Sequence, residues 1–327
     1  MMTATPVVET RGLVKRYGAQ VAVAGIDLVV GPGEIYGLVG PNGAGKTTTM
    51  RILATLLAPS AGEAYVTGIP VDADPIEVRR RIGYMPDFYG VYDDLKVWEY
   101  LDFFARCYAV PANRRATMIG ELLEIVGLTD RRDSYVESMS RGMRQRLCLA
   151  HTLVHDPALL ILDEPASGLD PRARVEMREI LRELRAMGKT ILVSSHILPE
   201  LAEMCTGVAI IDRGRLLRSG TIAEIERSLR ASALLRIDLL SDEASATAAR
   251  EWLGTDTRVA DVIGATSNAD GAVRIEASFN GPPEAQAELL RAMVEAGHRV
   301  VGFSQATSDL EEIFLRVTGQ TDEETAA

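Results

Sequence analysis

The stretch "GPNGAGKTTT", residues 40–49, combines three glycines, a lysine and a run of hydroxyls. It follows an apolar run, "EIYGLVG" at 34–40, that reads as a strand, and it opens an apolar-patterned helix. That is the context the GxxxxGK[ST] phosphate loop requires. Its glycines let the backbone curl so that successive N–H groups face one anion, and the helix N-terminus adds its positive end. Lys46 would reach the β- and γ-phosphates, and the Thr47 hydroxyl would ligate Mg²⁺. The chemistry is binding of a nucleoside triphosphate.

A second group is "LLILDEP", residues 159–165, where a buried strand ends in two adjacent carboxylates. Side chains alternate across a strand, so Asp163 and Glu164 take different roles. One can serve the Mg²⁺ shell, and the other can polarise an attacking water as general base. A third group, "SMSRGMRQRLCLAHTL" at 138–153, begins as a small polar turn and continues as a helix. Ser140 and Gly142 could offer hydroxyl and backbone N–H to a second anion, or Ser140 could be a plain N-cap. One loop already cradles the nucleotide, so a second anion site suggests two chains sharing a ligand. In "GYMPDFYGVYDD", residues 83–94, Asp87 stands directly after a strand end, among aromatic side chains.

The elements that position these groups are short apolar runs with little polar alternation: "EIYGLVG", "ALLILD" (158–163), "TILVSS" (190–195) and "GVAIID" (207–212). Such runs read as strands buried on both faces. Helical spacing lies between them, as in Val175, Ile180, Leu181 and Leu184, so an α/β domain with a largely parallel sheet is expected. Residues 95–155 read as helix throughout, a helical insertion; Trp98, Phe103 and Phe104 are expected in its core. After residue 222 the character changes. The order of patterns becomes β-α-β-β-α-β, the ferredoxin-like arrangement of a small α+β domain. A final helix is expected at "SDLEEIFLRVTG", 308–319, opened by a capping box from Ser308 to Glu311. The expected layout is an ATPase domain over 1–222 with its insertion at about 88–155, a linker at 223–232, an accessory domain at 233–319 and a frayed tail at 320–327.

Composition narrows the function. A chain of 327 residues exceeds what one hydrophobic core usually fills, so two domains are expected. The net charge of -11 argues against nucleic acid as a partner. Cys107, Cys148 and Cys205 are odd in number and far apart, as reduced packing thiols are. The N-terminal residues lack a secretory pattern, and no window nears the ~18 apolar residues that span a bilayer. His151 and His155 are spaced i, i+4 with no third metal ligand nearby in sequence, and Arg178, Arg182 and Arg185 among Glu176, Glu179 and Glu183 read as a solvated, salt-bridged face.

From about residue 7 to residue 222 the chain resembles the ATP-binding subunit of an ABC transporter. The resemblance rests on the phosphate loop "GPNGAGKTT", the signature-like "MSRGM", "LLILDEP", the loop "SGLDP" at 167–171 and the histidine of "SSHIL", in that family's order and spacing. It implies a P-loop NTPase core with an antiparallel β subdomain and the helical insertion. It further implies that Gly40, Asn42, Gly43, Ala44, Gly45, Lys46, Thr47 and Thr48 hold ATP, with Tyr17 stacking on adenine. Thr47, Asp163 and Asp87 would serve Mg²⁺, and Glu164 would be the general base. Lys46 and His196 would act with Glu164 at the γ-phosphate. Ser140, Gly142 and Met143 would touch the ATP held by a partner subunit, and Asp170 would join the two chains. Two departures stand out: Arg141 and Met143 replace the usual glycine and glutamine of the signature, and Asp87 replaces the usual glutamine of the Q-loop.

The resemblance implies ATP hydrolysis in a head-to-tail sandwich of two ATPase subunits, identical or homologous, on the inner face of the cell membrane. The sandwich would drive separate transmembrane permease subunits that dock near Phe88, Tyr89 and Tyr92. "MSRGMRQR" and the closing "DLEEIFLRVTG" look most like ABC-2-type exporter ATPases. The alternative is a soluble ABC ATPase that moves no solute, such as an iron-sulfur-assembly type. For the C-terminal domain the expectation is a packing or regulatory task near the dimer, with a ligand-sensing or dimerisation module as the competing reading.

Overall fold

In a computed structural model of the chain, described for all residues except 1–4, 88–89, 91, 226–232, 241–242, 268–271, 280 and 306–327, four strands have no exposed or half-buried residue. They are β3 (Ile35–Val39), β7 (Leu159–Leu162), β8 (Thr190–Ser195) and β9 (Gly207–Asp212). Burial on both faces explains their unbroken apolar runs, since no position faces water. With β6 (Ile82–Met85) and β10 (Arg215–Thr221) they form a six-stranded sheet in the order β10-β9-β3-β8-β7-β6. All neighbours are parallel except β10 on β9.

A second sheet is antiparallel, with β1 (Val8–Tyr17), β2 (Gln20–Val30), β4 (Ala61–Val66) and β5 (Ile69–Pro70) in the order β2-β1-β4-β5. Helix α1 (Lys46–Leu53) packs its Met50, Ile52 and Leu53 into one core with Leu13, Val23 and Ile26 of this sheet and Leu38, Ile161 and Leu192 of the other. Each such buried aliphatic contributes about 1.5–3 kcal/mol, so the helix behind the phosphate loop is held from both sides. Helix α2 (Pro75–Arg81), capped by Asp74, leads into β6.

The insertion consists of α3 (Val97–Cys107), α4 (Ala112–Ile125) and α5 (Arg141–Thr152). Its core differs from the expectation. The buried face of α3 is Val97, Tyr100, Leu101 and Ala105, whereas Phe103 is exposed and its ring meets that of Tyr92 at 5.5 Å. Ring size was a poorer guide than the i, i+3, i+4 register, which leaves Phe103 on the outward side. His151 and His155 are packing residues, stacked on Phe104 and Tyr108. Burial pushes His151 down to about 4.

Helix α6 (Pro171–Ala186) buries Met177, Ile180, Leu181 and Leu184, with Val175 outside. Its arginine face is the salt-bridged surface expected, with Arg182 and Arg185 exposed and Arg178 half-buried. Arg182 pairs with Glu179 and reaches the Glu203 carbonyl, Arg178 pairs with Glu203, and Arg185 donates to Gly33 O at 3.0 Å. Of the cysteines, Cys148 is buried and Cys205 half-buried, but Cys107 is exposed and so is not a core thiol.

The chain divides into two compact units, Met1–Ile222 and Ala223–Ala327. In the second, β11 (Ala233–Leu240), α8 (Glu243–Thr255), β12 (Val259–Ser267), β13 (Ala272–Phe279), α9 (Pro283–Glu295) and β14 (Val300–Gln305) follow one another. The sheet order is β12-β13-β11-β14, antiparallel throughout, which is the ferredoxin-like order. Leu235, Ile237, Leu239, Ile275, Ala277 and Phe279 meet Leu253, Leu289 and Met293 in a separate core. On β11 and β13 the alternate positions are charged: Arg236 pairs with Glu276 and Arg274 with Asp238. The helix expected at 308–319 lies outside the described residues.

Candidate functional site

Three neighbouring parallel strands, β3, β8 and β7, end side by side, and the residues that follow each carry the candidate chemistry. In open α/β sheets the crevice beyond the carboxyl ends of the strands is where ligands bind. After β3 the chain turns through 40–45 into α1. Gly45 caps that helix at φ +106°, and a Cβ there would lie 2.5 Å from Ala22 O, so only glycine fits. Among the described residues no side chain caps α1, and no acidic residue occupies its first turn. Its N-terminal N–H groups are therefore not occupied by a side-chain acceptor, as an anion site requires.

Lys46 is buried at 6% exposure, with its ammonium inside the loop. It donates to Gly40 O at 2.6 Å and Pro41 O at 3.3 Å, and lies 3.4 Å from Glu164 Oε1. Glu164 Oε2 meets His196 Nδ1 at 2.9 Å. These three residues follow β3, β7 and β8 respectively. Glu164 holds φ at +51°, a left-handed conformation uncommon for a side-chain-bearing residue, and its N–H donates to Ser194 Oγ at 2.9 Å. Such strain collects at functional sites.

Asp163 has a separate set of partners. Its Oδ1 accepts from Thr47 Oγ1 at 3.1 Å and from Ser194 Oγ at 2.7 Å, while the buried Oδ2 has no hydrogen-bond partner among the described residues. Burial raises the Asp163 pKa, the two hydroxyls oppose the shift, and the charges of Asp87 and Glu164 add to it. A buried carboxylate with an unpartnered oxygen beside a threonine hydroxyl fits a hard divalent cation such as Mg²⁺. Asp87, exposed just beyond β6, is close enough for its charge to bear on Asp163.

The remaining candidates lie apart from this cluster. Tyr17, half exposed at the end of β1, has the Lys15 ammonium 5.5 Å from its ring centroid. Ser140 caps α5 by accepting from Met143 N at 3.3 Å, and a Cβ on Gly142 would sit 3.2 Å from Ala173 Cβ. Asp170 caps α6 by accepting from Ala173 N at 2.8 Å. Gly142 thus faces the start of α6. Phe88 and Tyr89 lie outside the described residues; Tyr92 is exposed. The structure adds Ser194, which the sequence reading passed over although it stands two residues before His196. It also adds Gln145, Arg174 and Glu200, for which a single sequence gives no signal, because each sits in an ordinary helix pattern.

Fold and site together define a P-loop NTPase of the α/β class. The sequence pattern of the ABC transporter family matches residues 23–167. The chain is 39% identical over 319 residues to the daunorubicin/doxorubicin resistance ATP-binding protein DrrA of Streptomyces peucetius, covering 96% of this chain and 93% of that one. It is 35% identical over 330 residues to the Nod factor export ATP-binding protein I of Ralstonia nicotianae, covering 97% and 95%. Among solved structures, an ATP-binding subunit of an ABC transporter matches at 32% identity with a TM-score of 0.62, covering 68% of this chain and 92% of that one. The chain belongs to the ABC transporter family, as one of its ATP-binding subunits.

Proposed function

We propose that the chain hydrolyses ATP in a head-to-tail dimer and that this drives separate transmembrane subunits in export. The observation that carries the reading is the linked row Lys46–Glu164–His196, set beside Thr47–Asp163–Ser194 at three adjacent strand ends. Lys46 and the loop N–H groups would neutralise the triphosphate. Glu164 would take the proton of the attacking water, and His196, bonded to it, would orient that carboxylate and face the γ-phosphate. Thr47 and Asp163, with Asp87 beside them, would hold Mg²⁺, which when bound supplies charge neutralisation at the β- and γ-oxygens. Tyr17 would stack on the adenine.

A dimer would use Ser140, Gly142 and Met143 at the start of α5 to meet ATP held by a second chain, with Asp170, the cap of the neighbouring α6, at the junction; the approach of Gly142 to Ala173 supports the pairing of these two helix starts. Export is supported by the names of the two relatives, one a drug-resistance and the other an export ATP-binding protein. The permease would be a separate chain and this one peripheral on the membrane's inner face; among the described residues no helix is long and apolar enough to cross a membrane. The exposed ring pair of Phe103 and Tyr92, the latter three residues after Tyr89, suits a docking helix of that permease.

The test is purification with the membrane protein encoded beside it, followed by ATPase assay with and without that partner. The proposal predicts a stable complex and a rate that depends on the partner. Full activity of the isolated chain, with no membrane partner recovered, would instead favour a soluble ABC ATPase.

A further inference from the structure

The loop from Glu164 to Asp170 carries the candidate base at one end and the candidate dimer residue at the other. Three of its carbonyls, at alternate residues, accept from side chains of flanking helices. Gln145, buried on α5, donates to Pro165 O. Arg141, at the start of α5, donates to Ser167 O at 3.1 Å, and its guanidinium covers Gly168, where a Cβ would lie 2.3 Å from Nη1. Arg174, on α6, donates through Nε to Leu169 O at 3.1 Å. Two of the three donors belong to the helix that begins at the signature-like turn.

Arg174 also reaches a second loop. Its Nη1 meets Glu200 Oε1 at 2.7 Å, on α7 (Leu198–Ala202), the short helix that follows His196. The other Glu200 oxygen lies 3.5 Å from Ser195 Oγ, which itself accepts from Ile197 N at 3.0 Å, so the contacts bracket His196. The circuit closes through the 2.9 Å contact from His196 Nδ1 to Glu164 Oε2. Inside it is a cavity of about 410 Å³ lined by Glu164, Leu169, Arg174, His196 and Glu200 among others. With an open space at its centre, packing alone does not fix the distance between the two loops. The arginine and its two acceptors do, since a planar guanidinium holds two partners in a fixed fork.

We propose that Arg174, paired with Glu200, is a positioning residue that sets the His196–Glu164 contact from the 164–170 loop, and that Arg141 and Gln145 bring the state of the signature helix to that loop. A partner's ATP seated on Ser140 and Gly142 would thereby bias the histidine and base of the same chain. This rests on the reading of Glu164 as general base and of the site as shared between two chains.

The experiment is a double-mutant cycle on the full chain, Arg174→Ala, Glu200→Gln and both together, read as kcat and KM for ATP with Mg²⁺. The expected result is a kcat lowered by about tenfold or more in each single variant with KM within about twofold, and a double variant no slower than the slower single one. A kcat within about twofold of the unmodified chain for Arg174→Ala, or fully multiplicative losses in the double variant, would overturn the proposal. If Arg174→Ala fails to bind ATP or to fold, Glu200→Gln, which keeps size but removes the charge that pairs with the guanidinium, decides alone by the same thresholds. Each variant is also built on Glu164→Gln and run on a sizing column with ATP. Absence of an ATP-dependent dimer in Glu164→Gln itself counts against the shared-site reading, whereas a dimer there with unaltered kcat in Arg174→Ala counts against the positioning role only.

Discussion

Adjacent in sequence, Asp163 and Glu164 live in different surroundings, and the difference suits the roles proposed for them, Asp163 in the metal shell and Glu164 as base. Asp163 is almost wholly buried and bonded to two hydroxyls, while Glu164, turned by its left-handed backbone, meets an ammonium and an imidazole. Burial raises the Asp163 pKa, so the folded chain holds that proton more tightly than the unfolded one. The charged form therefore costs stability that grows as pH rises above the ordinary carboxylate value and through the raised one; the cost fades as pH falls. Asp163→Asn, measured by thermal unfolding without Mg²⁺, is expected to raise Tm at neutral pH by a few degrees, roughly 2–4 °C per kcal/mol recovered. The gain should shrink in acid, and Mg²⁺-dependent ATPase activity should be lost. Asp87 belongs to the same argument: if its charge serves Mg²⁺, Asp87→Ala shifts the Mg²⁺ dependence of hydrolysis, and an unchanged dependence and rate would remove it from the metal shell.

At the scale of elements, the site depends on helix starts as much as on strand ends. Ser140 caps α5 and Asp170 caps α6, and both starts border the 164–170 loop. Ser140→Ala is expected to cost about 1 kcal/mol of stability through the lost cap, read as a fall in chemical or thermal midpoint, whereas Ser140→Thr keeps an acceptor and most of that stability. What was legible in sequence follows from burial. β3, β7, β8 and β9 face no water, so their apolar runs are continuous, and the phosphate loop, Asp163, Glu164 and His196 could be placed at their ends. The antiparallel sheet left no such trace in the residues themselves. Register shifts between Thr10 and Leu13, Leu13 and Val14, and Lys15 and Arg16 of β1 break the two-residue alternation that would have revealed it. Arg174 and Glu200 were illegible for another reason: their meaning lies in a contact across 26 residues, between helices whose charge patterns are ordinary.

For the whole molecule, the two units have separate cores, and the site lies entirely in the first. A chain ended after residue 222 is therefore expected to bind ATP as the full chain does, measured by calorimetry. Removal of residues 233–327 should show instead in dimerisation or in coupled activity; no effect on either, or on stability, would deny the C-terminal unit a role near the dimer. In the proposed mechanism two chains close on shared ATP through Lys46, Glu164 and the signature-like residues. Glu164→Gln with Mg²⁺ and ATP on a sizing column tests it most directly, because hydrolysis would otherwise reopen the pair. Elution as a dimer with ATP and as a monomer without it is expected; a variant that binds ATP yet stays monomeric would rule out the shared site.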